Sequence, residues 1–359
     1  MKYIFGTGAM RSGGSLVLSI LELDNITKTF CEIFYFSRHL YKKFTNLNSF
    51  KTKYRIAYTF YLLLKYRNGK IIDYKSVYKE LVNKKISNYS ELYIVLSKYL
   101  ISEKYHNFVE YSNGEWRFIN NYLNLNKKFK AFLIMRDPRS VIASFKKISF
   151  GKKYDYLNCI FNWIDCYDYL KIYKKKLNKK RFLYLKFEDI HSNPEKNVKK
   201  ICKFFSIKFK TSMLKNQTYK NKIKTKTLIF SAQNKEYSFG FNAKRNYQWI
   251  ENLSKWEIAL IEKLCGSRMK KIGYKLQNYK SNDFKKGIQN LKKNNILKQK
   301  FLRFQKFNVG DNLRMNDPTK AENWGSNKKN KNRFLEEKEY SNYKKELKKF
   351  ENSTINIKY

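Results

Sequence analysis

A parallel α/β sheet flanked by helices, with a helical insertion, is the fold class this sequence predicts. Three observations predict it. Short apolar runs recur without the alternation of a half-exposed strand, helical periods separate them, and a glycine-rich segment joins the first run to the first helix.

Taken in order, residues 2–7 read as a short buried strand and 14–22 as a helix, so "GAMRSGGS" between them is a strand-to-helix turn. From 37 to 125 the chain is rich in Tyr, Lys and Leu, with helical spacing such as Leu92, Val95, Leu96 and Tyr99 and few strand signals. This stretch is expected to be an inserted helical subdomain. "FKAFLIM" (129–135) is the clearest buried strand, and "DPRSVIASFKK" turns from it into a helix with Pro138 in the first turn. Residues 158–177 form an amphipathic helix, and "RFLYLKFED" (181–189) a further strand. Asn193 and Pro194 start a helix over 193–207. Ser254 and Glu257 have the capping-box spacing that opens a helix over 254–274. The principal domain is therefore expected over 1–276. The Lys- and Asn-rich tail, 277–359, is expected to be loosely attached or disordered, with a short helix at 334–350.

The 359 residues are 42% hydrophobic and 17% aromatic, enough to build a substantial core. The formal net charge of +48 first suggests a nucleic-acid binder. The charge is spread evenly, however, and the tail carries about as much per residue as the rest. With abundant Lys, Asn, Ile, Tyr and Phe and only 3 Pro, this reads as compositional drift, and no specific nucleic-acid partner is expected. Attraction to small anionic cofactors remains a physical consequence. The five cysteines form no CxxC pair and the three histidines have no metal spacing, so a reducing compartment and no metal requirement are expected. No signal peptide is read, since the first strand begins almost at Met1. The most apolar stretch, "IAYTFYLLL" (56–64), is too short to cross a bilayer, so no transmembrane segment and a cytoplasmic location are expected.

"GAMRSGGS" fits G-x-x-x-x-G-x-S, a P-loop nucleotide-binding pattern with Gly14 where lysine normally stands. Gly8, Gly13 and Gly14 permit close backbone approach. Amides from about Arg11 to Ser15 can converge on one anion at a helix start, where the helix dipole adds to the attraction. Ser12 and Ser15 add hydroxyls and Arg11 a guanidinium. A nucleoside-triphosphate enzyme uses the lysine on the β- and γ-phosphates together with Mg²⁺. Its loss counts against a kinase or NTPase and favours a less charged anion held without metal. A second anchor follows the 129–135 strand. Arg136 stands at its carboxyl end and Ser144 eight residues on, where open parallel sheets bind ligands. Two anion points on two strand-to-helix turns imply one ligand with separated phosphate-like groups. An ordinary Arg136–Asp137 ion pair is the plainer alternative.

With these segments in view, the sequence resembles the sulfotransferase family that uses 3′-phosphoadenosine 5′-phosphosulfate. "RSGGS" is similar to the family's 5′-phosphosulfate loop, R/K-S-G-T-T/S, and "RDPRSVIAS" to its 3′-phosphate motif. "LKFEDIHSNPEKNVKKICKFFSI" resembles the Y-E-D-L…P…F-L-G-I block, and "WIENLSKWEIALIEKLCGSRMKKIGY" the terminal W…L-S…G-Y helix. The resemblance implies that Arg11, Ser12, Gly13, Gly14, Ser15, Arg136, Ser144 and Phe187 bind the co-substrate. Two departures stand out. Gly14 replaces a hydroxyl-bearing Thr, and Phe187 replaces a Tyr near adenine, which keeps stacking but loses a hydrogen bond. Lys244 and Arg245 are further 3′-phosphate candidates.

Sulfuryl transfer needs an acceptor hydroxyl in line with the departing oxygen, positive charge on the leaving phosphate, and a base. Arg11 supplies the charge. In the tyrosylprotein and polysaccharide branches the base is a Glu soon after the first helix, and Glu32, twenty-one residues after Arg11, has similar spacing. His39 and His106 are rival bases. The acceptor is expected to bear a hydroxyl, on a carbohydrate, lipid or protein tyrosine, with the insertion at 37–125 lining its pocket.

Overall fold

The computed structural model describes residues 1–68, 71–148, 154–214, 241–277 and 279–311, with Lys345 and Lys349 as isolated helical positions. Five parallel strands form one sheet in the order β2-β3-β1-β4-β5: β1 (Lys2–Gly8), β2 (Thr27–Cys31), β3 (Asn107–Tyr111), β4 (Lys130–Met135) and β5 (Phe182–Lys186). The order reverses at β1, where the chain leaves for β2 on one side and later returns to β4 on the other. Ligands of open parallel sheets bind outside the carboxyl ends of the strands at such a reversal.

Alternate side chains of these strands feed two cores, because successive residues point to opposite faces. On one face Ile4, Val109, Tyr111, Phe132, Ile134, Leu183 and Leu185 meet helix α1 (Gly14–Glu22) and the helices after β5. On the other, Tyr3, Phe5, Phe108, Ala131, Leu133 and Met135 meet a larger aromatic core. Four helices between β2 and β3 supply much of that core: α2 (Phe36–His39), α3 (Phe50–Asn68), α4 (Tyr74–Asn83) and α5 (Tyr89–Lys98). The apolar stretch at 56–64 lies inside α3, and no helix among the described residues is long and apolar enough to cross a membrane.

The insertion is thus shorter than 37–125, since β3 and α6 (Ile119–Leu125) fall inside that range and β3 is an interior strand of the sheet. "NFVEY" hides its strand character behind Asn107 and Glu110, both buried. Asn107 donates its side-chain N–H to the Thr27 hydroxyl opposite it in register, at 2.9 Å, which satisfies a polar group between strands. Glu110 accepts from the Tyr93 hydroxyl at 3.1 Å and from the Phe36 amide at 3.3 Å.

Burial pushes the Glu110 carboxyl up to about 8. The folded protein therefore holds a proton there that the unfolded chain releases near its ordinary carboxylate range. Stability from this group is full at acid pH and is lost as pH rises toward 8. Glu110→Gln should flatten the fall in melting stability between about pH 5 and 8, a difference on the order of a few kcal/mol. Thermal melts of both proteins across that range would show it, and parallel curves would contradict it.

After β4 come α7 (Pro138–Ile148) and α8 (Asn158–Lys176), and after β5 come α9 (Phe187–Ser192), α10 (Pro194–Phe205), α11 (Trp249–Asn252) and α12 (Lys255–Lys271). The expected strand over 181–189 ends at Lys186, and Phe187 opens α9 with Glu188 and Asp189 in its first turn, where acidic side chains suit the helix dipole. The capping box of Ser254 and Glu257 is present.

The start of the expected loose tail is instead packed. Helices α13 (Ser281–Lys292) and α14 (Asn295–Phe307) lie on α12 and α8, burying Leu291, Leu297 and Phe301. Each such side chain stabilises by about 1.5–3 kcal/mol, enough to hold a helix whose other face is charged. Arg268 closes the turn beyond α14, forked onto Asp168 and donating to the Asn308 carbonyl at 2.7 Å. The helix expected at 334–350 lies outside the described residues apart from two isolated positions.

Candidate active site

The first loop turns on two residues of positive φ, Arg11 at 69° and Gly13 at 97°. Left-handed positions of this kind are the ones from which anion-binding nests of successive amides are made. The Ser12 amide closes the turn onto the Ala9 carbonyl at 3.2 Å. The amides that open α1 have no partner within a helix by its geometry, and they carry the positive end of its dipole. The Ser12 hydroxyl is buried, with no hydrogen-bond partner among the described residues. A buried hydroxyl in that state is costly unless a ligand completes it.

The two sequence-derived anchors come together. Arg11 donates its Nε to the Ser144 hydroxyl on α7 at 3.0 Å. Arg136, just past β4, donates to the Arg11 carbonyl at 3.2 Å and to the Arg245 carbonyl at 3.4 Å. The Arg136–Asp137 ion pair considered as an alternative is not how Asp137 is used. Its carboxylate is held by Arg139, which also donates to Glu262 at 2.6 Å. Glu188 accepts from the Asp137 amide and from the Tyr274 hydroxyl, both at 2.8 Å, so the β4–α7 and β5–α9 turns are tied to the end of α12. Trp163 fixes the Arg136 carbonyl at 2.8 Å.

Phe187 is packed against both turns. Its ring is buried, lies over the Arg136 guanidinium at 4.2 Å, and packs where a side chain on Gly13 would have to go, 2.3 Å from the position of a Cβ there. It braces the loop and Arg136 through packing and a cation–π contact. Ser15, at the mouth of the loop, is half-buried. Arg245 reaches the cluster through its carbonyl and Lys244 is exposed. Asn246 anchors that segment by accepting from Ser140 through its carbonyl and donating to Ser192 at 3.2 Å.

Histidine 191 was missed in the sequence because nothing local marks it. His191 follows Phe187 by one helical turn, its ring 4.3 Å from the Phe187 ring, and its Nδ1 accepts from the Asn242 amide at 3.0 Å. Burial, and then the charges of Arg245 and Arg136, push its pKa down to about 3, so the imidazole stays neutral at physiological pH. Burial thus does most to keep the imidazole neutral, and the two arginines beside it add to the effect.

Glu32 stands at the carboxyl edge of the sheet, just after β2, with φ 57°. It is buried, its amide donates to the Tyr111 carbonyl at 2.8 Å, and its carboxylate accepts from Asn113 at 2.8 Å. Non-glycine residues in this backbone region are uncommon and cluster at functional sites. Of the rival bases, His106 is exposed and precedes β3, at the opposite edge of the sheet from the loop, while His39 is buried at the end of α2. A small gap of about 10 Å³, lined by Ala9, Met10, Trp116 and Val141 among others, lies behind the loop and has room for about one water.

A five-stranded parallel sheet with a cationic, glycine-rich turn at its reversal point defines an α/β protein of the P-loop type. The particular family follows from comparison: residues 4–211 match the model of the sulfotransferase family, and the chain belongs to that family. It is an enzyme of sulfuryl transfer, acting on a hydroxyl-type acceptor. Its fold is similar to that of the sulfotransferase domain from the curacin biosynthetic pathway, at 15% identity and a TM-score of 0.51, covering 77% of this chain and 99% of that domain. It is also similar to the sulfotransferase domain from the Synechococcus PCC 7002 olefin synthase, at 14% identity and 0.50, covering 77% and 96%. No curated protein sequence matches the chain.

Proposed function

We propose that the enzyme takes its sulfuryl group from 3′-phosphoadenosine 5′-phosphosulfate and passes it to an acceptor hydroxyl. Ser12, Gly13, Gly14 and Ser15 hold the phosphosulfate, and Arg136 with Ser144 the 3′-phosphate. The observation that carries the reading is the direct link between the two turns, Arg11 to Ser144 at 3.0 Å and Arg136 to the Arg11 carbonyl at 3.2 Å. Two anion points so joined suit the two ends of one nucleotide. A hydrogen bond to a charged group contributes roughly 1.5–3 kcal/mol, so a few of these donors suffice for binding without the missing lysine.

In the reaction, the acceptor oxygen forms a bond to sulfur as the bond from sulfur to the bridging phosphate oxygen breaks. The hydroxyl proton passes to the Glu32 carboxylate, which Asn113 orients. Arg11 and the loop amides stabilise the charge that collects on the departing phosphate. All five cysteines are free, which fits a reducing, cytoplasmic setting. Calorimetric titration tests the donor assignment: adenosine 3′,5′-bisphosphate should bind at least ten-fold more tightly than ATP, a gap of about 1.4 kcal/mol or more. Equal or tighter ATP binding would return the protein to the kinase and NTPase class.

A further inference from the structure

Gly14 brings no side-chain hydroxyl to the loop, and the structure fills its place from another strand. Tyr111 ends β3 opposite Gly6 of β1, with its ring stacked on Phe132 at 5.9 Å and 1% of its surface exposed. A Cβ built on Gly14 would lie 2.0 Å from Tyr111 Cζ and 2.4 Å from its Oη, and a Cβ on Gly8 would lie 3.3 Å from the same Oη. The hydroxyl is therefore lodged between Gly8, which opens the G-x-x-x-x-G turn, and Gly14, the residue just after it, on the floor of the loop. It has no hydrogen-bond partner among the described residues, the same state as the Ser12 hydroxyl in the same loop.

Burying a phenol without an acceptor is unfavourable, and a purely structural ring at this place would be served better by phenylalanine. Burial also holds the phenol in its protonated, donating form. Two orphaned hydroxyl donors around one nest describe a site completed by an anion with several acceptor oxygens.

We propose that the Tyr111 hydroxyl is a binding donor to the 5′-phosphosulfate end of the nucleotide, taking over from β3 the hydrogen bond that position 14 cannot make. This rests on the donor assignment above. Glycine at 14 and tyrosine at 111 are then one device, since a side chain at the first would collide with the ring of the second.

Calorimetry on the full chain separates the possibilities, with adenosine 3′,5′-bisphosphate and adenosine 3′-monophosphate as probes. Tyr111→Phe should weaken the bisphosphate by roughly ten-fold or more, leave the 3′-monophosphate unchanged, and leave the melting temperature of the free protein equal or higher. Moving the hydroxyl onto the loop, with Tyr111→Val and Gly14→Thr together, should recover affinity to within a few-fold of wild type. Unchanged bisphosphate affinity in Tyr111→Phe, equal losses for both probes, or a folded double variant that recovers nothing would each overturn the proposal. A wild-type protein that binds the 3′-monophosphate as well as the bisphosphate would overturn the donor assignment itself, a result distinct from a silent Tyr111→Phe.

Discussion

Arg136→Ala should weaken adenosine 3′,5′-bisphosphate by roughly ten- to a hundred-fold, with a much smaller effect on adenosine 5′-monophosphate. The size follows from losing one charged, two-pronged donor worth roughly 1.5–3 kcal/mol. The selectivity follows from where the side chain stands. Arg136 leaves β4, is pressed onto the Phe187 ring, and reaches toward Ser144 by way of Arg11. Its backbone is pinned by Trp163, so alanine removes the guanidinium without moving the turn. A modest loss for the 5′-monophosphate is still expected, because Arg136 also props the Arg11 carbonyl in the first loop. Equal losses for both nucleotides would make Arg136 a brace for the loop, and no loss for either would remove it from the site.

Glu32→Gln should lower turnover by roughly a hundred- to ten-thousand-fold while leaving bisphosphate affinity within about two-fold of wild type. Glutamine keeps an oxygen to accept from Asn113 and the same backbone, whose amide is held by the Tyr111 carbonyl. Only the capacity to take a proton is lost. Transfer of labelled sulfuryl group from the donor into a pool of extracted hydroxyl compounds gives the readout. Unchanged turnover would eliminate Glu32 as base and turn attention to His39, which lies on the same edge of the sheet, at the end of α2.

What the sequence disclosed and what it hid divide along the range of the interactions. The β1 loop and the β4–α7 turn were legible because strand, glycines, Arg11, Arg136 and Ser144 lie within short segments whose chemistry is local. Strand β3 was not, since Asn107 and Glu110 break its apolar run and find their partners in Thr27 and Tyr93, far along the chain. Helices α13 and α14 were hidden by lysine-rich composition, although Leu297 and Phe301 stand one turn apart on the buried face. Phe187 was legible as a candidate, but only the fold reveals that Gly13 and Arg136 occupy the surroundings of its ring. Tyr111 and His191 carry no motif at all, and their positions follow from strand pairing and helix packing.

A crystal structure with adenosine 3′,5′-bisphosphate bound tests the central claim most directly. The expected result is one nucleotide spanning the two turns, its 5′-phosphate on the amides and hydroxyls from Ser12 to Ser15 and its 3′-phosphate on Arg136 and Ser144. A nucleotide whose phosphates both sit in the first loop, or one bound away from Arg136 altogether, would contradict it.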